Sequence, residues 1–313
     1  MRVATTRMAL VVFVLCVASS VFVARGSVAA QDVSDDDLER ASRGRTVRVG
    51  SLGTRRFSTV PLEVYVARVL AGEAEPDAAD AARQALAIAV RTFALANEGR
   101  HRAAGFDLCD TTHCQVPRAA NARVRAAALA TAGQVLMYDG APAEVFYSAS
   151  CGGRSEDATA LWPAANMPYL RSVEDDVHAE DAPWTLDLSL EDVRGALARA
   201  GYTGSRLRDI RIDGRTRSGR VARLTLDGLR PDSMAGDAFR AAVGAGELGS
   251  TAFSLTRDDN IVRFTGFGYG HGVGMCVVGA GRRARRGEDA RTILAWYYPG
   301  LQLATLDRAA VER

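Results

Sequence analysis

The run Leu62-Glu63-Val64-Tyr65-Val66-Ala67-Arg68-Val69-Leu70-Ala71-Gly72-Glu73 decides how this chain is read. Leu62, Val66, Val69 and Glu73 stand at i, i+4, i+7 and i+11, so the spacing predicts a helix that begins near Leu62 and stops at Pro76. Its apolar stripe ends on a carboxylate. Burial disfavours the charged form and raises a carboxyl pKa, which suits a group that donates a proton near neutral pH. The alternative is a helix-end glutamate whose head reaches back to water past Gly72.

Working outward, a second helix is expected over Ala78 to Ala96. There Gln84, Ile88, Arg91 and Leu95 repeat the same spacing and put Arg91 on a partly apolar face. Upstream, Val47 to Leu52 alternates as a strand, and the acidic stretch inside residues 31–44 reads as a flexible linker. Downstream, a helix near Ala119 to Thr131 precedes a hairpin of Gln134 to Tyr138 and Glu144 to Ser148 about Asp139-Gly140. Ser189 opens a helix with Asp192 three residues on, and Gly201 closes it. Arg208 to Ile212 pairs with Val221 to Leu226, and Phe253 to Thr256 with Ile261 to Thr265. Strands that come mostly as hairpins among helices imply a mixed α+β domain with antiparallel sheet, not a doubly wound one.

Residues 1–30 read as an export signal: Arg2 and Arg7, an apolar run from Met8 to Val23, then Ser27-Val28-Ala29-Ala30, with cleavage after Ala29 or Ala30. An uncleaved anchor is the alternative, and either places the rest of the chain outside the cytoplasm, touching membrane only through that segment. Removing the three signal arginines from 39 basic residues leaves 36 against 37 acidic ones. That balance gives no basic footprint for nucleic acid.

Cys109-Asp110-Thr111-Thr112-His113-Cys114 brings three soft or borderline ligands together, with His101 a short loop upstream. Such a set suits a structural zinc; export makes a Cys109 to Cys114 disulfide the alternative. Gly266-Phe267-Gly268-Tyr269-Gly270-His271-Gly272-Val273-Gly274 fits no dinucleotide loop register, and holds His271 at the tip of a tight turn as a contact residue or a structural hydrogen-bond partner. Tyr169, Arg171, Tyr297 and Tyr298 supply aromatic faces and an arginine fork, which suit an acidic glycan or ordinary core.

Taken in order, these segments resemble the stage II sporulation protein D family, which includes the amidase-enhancer proteins. The matching text is Leu62 to Glu73, Ala89-Val90-Arg91-Thr92-Phe93, Cys109 to Val116, Phe146-Tyr147-Ser148-Ala149-Ser150-Cys151-Gly152-Gly153, Pro168 to Val173, Gly270 to Met275 and Tyr297 to Gly300. The resemblance implies one glycan-cleaving domain over residues 45–313: an extracytoplasmic lytic transglycosylase of peptidoglycan that needs no cofactor for catalysis. Glu73 matches the family's catalytic glutamate and Arg91 its groove arginine. Tyr169, Arg171, Tyr297 and Tyr298 match residues that hold the sugar chain, and the Cys109 to Cys114 segment matches a zinc site of some members. The chain departs from the family at Gln84 (usually lysine), Leu86 (usually glutamine), Pro117 (usually tyrosine) and Cys276-Val277 (usually Ser-Gln). The rival function is a glycan-binding enhancer of a cell-wall amidase; a metal-dependent peptidase using Cys109, His113 and Cys114 is a third.

Overall fold

The computed structural model describes residues 32–53, 56–163, 166–175 and 182–306. The export-signal reading lies outside them. Among the described residues no helix is long and apolar enough to cross a membrane.

The acidic stretch is not a linker. Ser34 caps helix α1 (Asp35–Ser42) through a capping box with Asp37, and Leu38 is fully buried. Three aspartates in the first turn, favourable at a helix N-terminus, gave the run its disordered look. Next come β1 (Thr46–Gly50), β2 (Phe57–Pro61), α2 (Leu62–Glu73), α3 (Asp80–Ala96), β3 (Leu108–Cys109) and α4 (Ala122–Ala130). β1 pairs antiparallel with β2 and parallel with β3. α2 packs against α1, α3 and α4, and eight of its first nine residues are buried, Glu63 included. A helix buried nearly all round belongs at the centre of a core, and α2 does so despite its apparent single stripe.

β4 (Gln134–Tyr138) turns at Asp139-Gly140, both with positive φ (47° and 81°), into β5 (Ala141–Pro142). The turn is as expected, but its partner strand stops at Pro142. Tyr147 and Ser148 form β6 in another sheet, parallel to β13 (Met275–Cys276), reached only after one-turn α5 (Ala158–Leu161) and a second core.

That core holds β7 (Trp184–Ser189), α6 (Leu190–Arg199), β8 (Asp209–Arg215), β9 (Val221–Asp227), β10 (Ser233–Ala235), α7 (Gly236–Val243), β11 (Phe253–Asp258) and β12 (Ile261–Gly266). Two three-stranded antiparallel sheets, β10-β9-β8 and β11-β12-β7, enclose Phe239, Phe253 and Phe264 with Leu224 and Leu226. Ser189 and Asp192 make the expected capping box on α6. After β13 the chain rejoins the first core through α8 (Val277–Arg285), α9 (Ala290–Tyr297) and β14 (Gln302–Thr305), which pairs with the free edge of β4. The whole is α+β, with small and mostly antiparallel sheets.

Candidate active site

Glu73 ends α2; the chain turns extended at Ala74 (φ −78°, ψ 143°), two residues before the expected stop at Pro76. A side chain at Gly72 would run into the Val116 carbonyl, so glycine lets segment 116–118 lie against the helix end. The Arg118 amide bonds the Arg68 carbonyl there at 2.8 Å. Glu73 is half-buried, and desolvation raises its pKa; a backbone hydrogen bond from Val116 and the charge of Arg118 oppose the rise. The net effect keeps the acid form at higher pH than an ordinary glutamate does.

Glu73 opens into a cavity of about 490 Å³. Phe93, Phe146 and Trp162 line one part of it, with Phe146 and Trp162 rings 4.7 Å apart. Tyr269, 53 % exposed, and His271 come from the glycine-rich return, while Arg100, Thr112, His113 and Cys114 come from the cysteine loop. Among the described residues Glu73 is the only Asp or Glu in the lining.

Tyr147 lines the cavity too, and its hydroxyl accepts from Gln115 Nε2 at 2.9 Å. Gln115, 1 % exposed, takes the Tyr65 hydroxyl proton on Oε1 at 2.8 Å. Burial and then the Glu73 charge push the Tyr147 phenol well above its ordinary pKa. A neutral phenol therefore faces the acid.

His271 is present as expected but uncharged. Its Nδ1 accepts the Val273 amide at 3.0 Å, and burial, with Arg220 and Arg240 behind it, pulls its pKa down to about 4. It offers a neutral ring, edge-on to Phe146 at 6.0 Å, and not a proton-donating imidazolium.

The other expected groove residues lie elsewhere. Arg91 is completely buried, clamped on Glu63 by Nε at 2.9 Å and by Nη2. It also donates to the Gln134 carbonyl at 3.0 Å and the Ala128 carbonyl at 3.3 Å, so it joins α2, α3, α4 and β4. The α3 face that carries it is core, not groove. Tyr169 is buried, its hydroxyl on the Glu144 carbonyl at 3.3 Å and its pKa pushed by burial to about 12. Arg171 is exposed and bonds the Pro168 carbonyl at 2.7 Å. Tyr297 donates to Asp175 at 2.6 Å; Tyr298 donates to the Phe146 carbonyl at 2.7 Å and so props the strand that presents Phe146 and Tyr147. None of these five residues lines the cavity.

Phe93, Phe146, Tyr147, Trp162 and Tyr269 were not singled out from the sequence as contact residues. Aromatic residues beside glycine and serine, in Phe146-Tyr147-Ser148 and Gly268-Tyr269-Gly270, mark three of them, and Phe93 and Trp162 carry no such signal.

His101, Cys109, His113 and Cys114 converge, their ligand atoms all within 4.8 Å of one another. His101 Nε2 lies 3.3 Å from Cys114 Sγ, and His113 Nδ1 3.6 Å from Cys109 Sγ and 3.5 Å from Cys114 Sγ. Tetrahedral zinc with thiolate and imidazole ligands has edges of about 3.3–3.8 Å, so the donor set fits that ion. Both cysteines are free thiols, not a disulfide.

The sequence profile described as "SpoIID: Stage II sporulation protein" matches residues 51–138, which hold α2, α3 and the cysteine loop. A profile described as "Domain of unknown function (DUF8618)" matches residues 182–274, the second core with the glycine-rich return. An uncharacterized protein of Brachyspira hyodysenteriae is 30% identical over 256 residues, covering 80% of this chain and 68% of its own. Stage II sporulation protein D of Bacillus subtilis is 26% identical over 286 residues, covering 84% and 80%. The amidase enhancer of the same organism is 26% identical over 275 residues, covering 72% of this chain but 38% of its own. With these relatives, and with the Glu73 helix and the cysteine loop inside the matched profile, the chain belongs to the stage II sporulation protein D family.

Proposed function

We propose that this protein is a lytic transglycosylase that acts outside the cytoplasm on peptidoglycan glycan strands, in cell-wall remodelling of the kind that accompanies sporulation. One observation carries the reading: a half-buried carboxyl with a raised pKa stands, among the described residues, as the only acidic residue in an aromatic-lined cavity. A glycoside hydrolase needs a second carboxylate to activate water or attack carbon. A transglycosylase does not, because the substrate supplies its own nucleophile.

Protonated Glu73 gives its proton to the glycosidic oxygen between N-acetylmuramic acid and N-acetylglucosamine, and the C1–O bond breaks. The resulting carboxylate takes the proton of the muramyl C6 hydroxyl, whose oxygen bonds C1 and closes a 1,6-anhydro ring. Glu73 ends as it began. Phe146, Trp162 and Tyr269 give sugar rings apolar faces to stack on, and the neutral phenol of Tyr147 places a hydroxyl beside the acid without adding charge. A zinc held by His101, Cys109, His113 and Cys114 would fix the loop that brings His113 and Cys114 to the cavity wall; all four ligands come from protein, so its part is structural.

Replacement of Glu73 by Gln preserves shape and removes proton transfer. We expect at least about a hundredfold loss of anhydro-muramyl ends from digested sacculi, read by muropeptide mass spectrometry. Equal yields from wild type and variant would refute the catalytic reading. They would favour the second one, a glycan-binding enhancer of a cell-wall amidase, which the similarity to the Bacillus subtilis amidase enhancer supports. The departures from the family do not favour that alternative: Gln84, Leu86 and Val277 all lie outside the cavity lining.

A further inference from the structure

A second cluster lies behind the cavity wall. Cys151, Asp175 and Cys276 bring two thiols and a carboxylate oxygen within 4.8 Å of one another, and both cysteines are 2 % exposed. We propose that these three residues bind a zinc-type cation, separate from the His101, Cys109, His113 and Cys114 set.

Five observations support it. The Cys151 Sγ to Asp175 Oδ2 separation is 3.6 Å, an edge of the size expected in a tetrahedral zinc site with sulfur and oxygen ligands. Cys276 Sγ already accepts two backbone N–H groups, from Cys151 at 3.2 Å and from Gly279 at 3.3 Å, which hold the sulfur in place. The Asp175 carboxylate is oriented by the Tyr297 hydroxyl at 2.6 Å, as outer-shell partners orient a ligating carboxylate. A side chain at Gly279 would collide with both the Asp175 carboxylate and the Tyr297 hydroxyl, so glycine keeps that approach clear.

Charge is the fifth. Arg220 is 1 % exposed, and its Nη2 donates to the Cys151 carbonyl at 2.6 Å, yet its Nε and Nη1 have no hydrogen-bond partner among the described residues. Burial lowers its pKa, while Glu156 and the two cysteines support its charged form. A dication with two thiolates and one carboxylate carries a net charge of −1, which this buried guanidinium offsets. Binding releases two thiol protons to solvent and changes no oxidation state.

The site would tie three segments: the loop after Tyr147 and Ser148, the start of α8, and the stretch from Gly153 to Asp175, whose amide bonds the Gly153 carbonyl at 2.9 Å. Two of these frame the Glu73 cavity.

The test counts ions on the exported chain purified under reducing, oxygen-free conditions, stripped with chelator, reloaded with zinc and freed of excess. Cys276→Ser should lower bound zinc by one ion per chain, whatever the first cluster holds, while Cys114→Ser should leave the Cys276-dependent ion in place. Asp175→Asn, at a half-buried position that spares the core if Cys276→Ser misfolds, should weaken that ion at least tenfold in competition with a chromogenic chelator. Tyr297→Phe should weaken it about 10- to 100-fold. Equal zinc counts in wild type and Cys276→Ser, unchanged affinity in Asp175→Asn, or a Cys151 to Cys276 disulfide in the zinc-loaded chain would overturn the proposal. Glycan cleavage plays no part in this readout, so its failure and that of the transglycosylase reading are distinguishable.

Discussion

Glu73 carries a stability cost that its chemistry explains. A carboxyl whose folded pKa lies above its unfolded value binds protons more tightly when folded, so folding stability falls as pH rises from the unfolded value through the raised one. Gln cannot titrate. The stability gained by Glu73→Gln should therefore be absent at acid pH, below both pKa values, and grow toward neutral pH; melting temperatures of both proteins at pH 4 and pH 7 check the sign. If the protein cleaves glycan as proposed, cleavage limited by the acid form should fall as pH rises through the same raised pKa, and wild-type rates across pH should trace that fall. His271 adds no second limb near neutrality, because with a pKa of about 4 it stays uncharged there. Arg118 matters in the opposite sense: Arg118→Ala removes a charge that stabilises the carboxylate, and should move the descending limb to higher pH.

At the scale of elements, Arg91 on α3 shows what periodicity reveals and what it hides. The spacing located α3 and placed Arg91 on a face with Ile88, and that face is buried. It did not say whether the buried face meets substrate or other helices, because an alanine-rich helix is buried on nearly every side and periodicity cannot choose among partners. Arg91 meets Glu63, a residue the α2 stripe left out, in a pair with side chains 0% and 1% exposed. Arg91→Ala leaves Glu63 as an uncompensated buried charge and should cost about 3–5 kcal/mol in urea unfolding. Replacing both partners with apolar residues of similar volume should cost much less, an asymmetry that a purely substrate-binding arginine would not produce. Gly72→Ala tests the neighbouring contact: the Val116 carbonyl must move, and a loss of about 1–3 kcal/mol with reduced cleavage is expected.

Local signals served the sequence well wherever partners are near. The α6 capping box, the β8–β9 and β11–β12 pairs and the Asp139-Gly140 turn are all decided within a few residues. The hairpin pattern assigns Tyr147 to the sheet of β4, whereas its partner Met275 lies beyond the whole second core, and a parallel pairing across such an interval leaves no local trace. The aromatic lining suffers from the same limitation. Phe93 lies on α3, but Phe146, Trp162 and Tyr269 sit on short or irregular segments without a period, and they meet only after the chain has returned from the second core. The four cysteine-loop ligands were legible because three of them fall within six residues, whereas Cys151, Asp175 and Cys276 are scattered.

Over the whole molecule, the two cores meet behind the cavity, and the contact is polar. Glu156, 1 % exposed, accepts the Thr216 hydroxyl at 2.6 Å and the Ser218 hydroxyl at 2.9 Å from the β8–β9 turn, and its amide bonds the Gly272 carbonyl at 2.8 Å. Arg220, beside that turn, reaches the Cys151 carbonyl. These bonds fix the second core against the loops that present Tyr147 and His271, so its position bears on the shape of the site. Glu156→Ala would remove the carboxylate that the Thr216 and Ser218 hydroxyls share, leaving them only each other at 2.9 Å, at about 1–3 kcal/mol, and would leave the Arg220 charge without its largest Coulombic support. Each core keeps its own apolar cluster, so the loss should fall on their union and not on either alone. Calorimetry should show one transition in the wild type and two in Glu156→Ala, with glycan cleavage reduced although Glu73 is untouched. A single transition in the variant, shifted no more than that of a surface control, would mean that the cores are held together by other contacts.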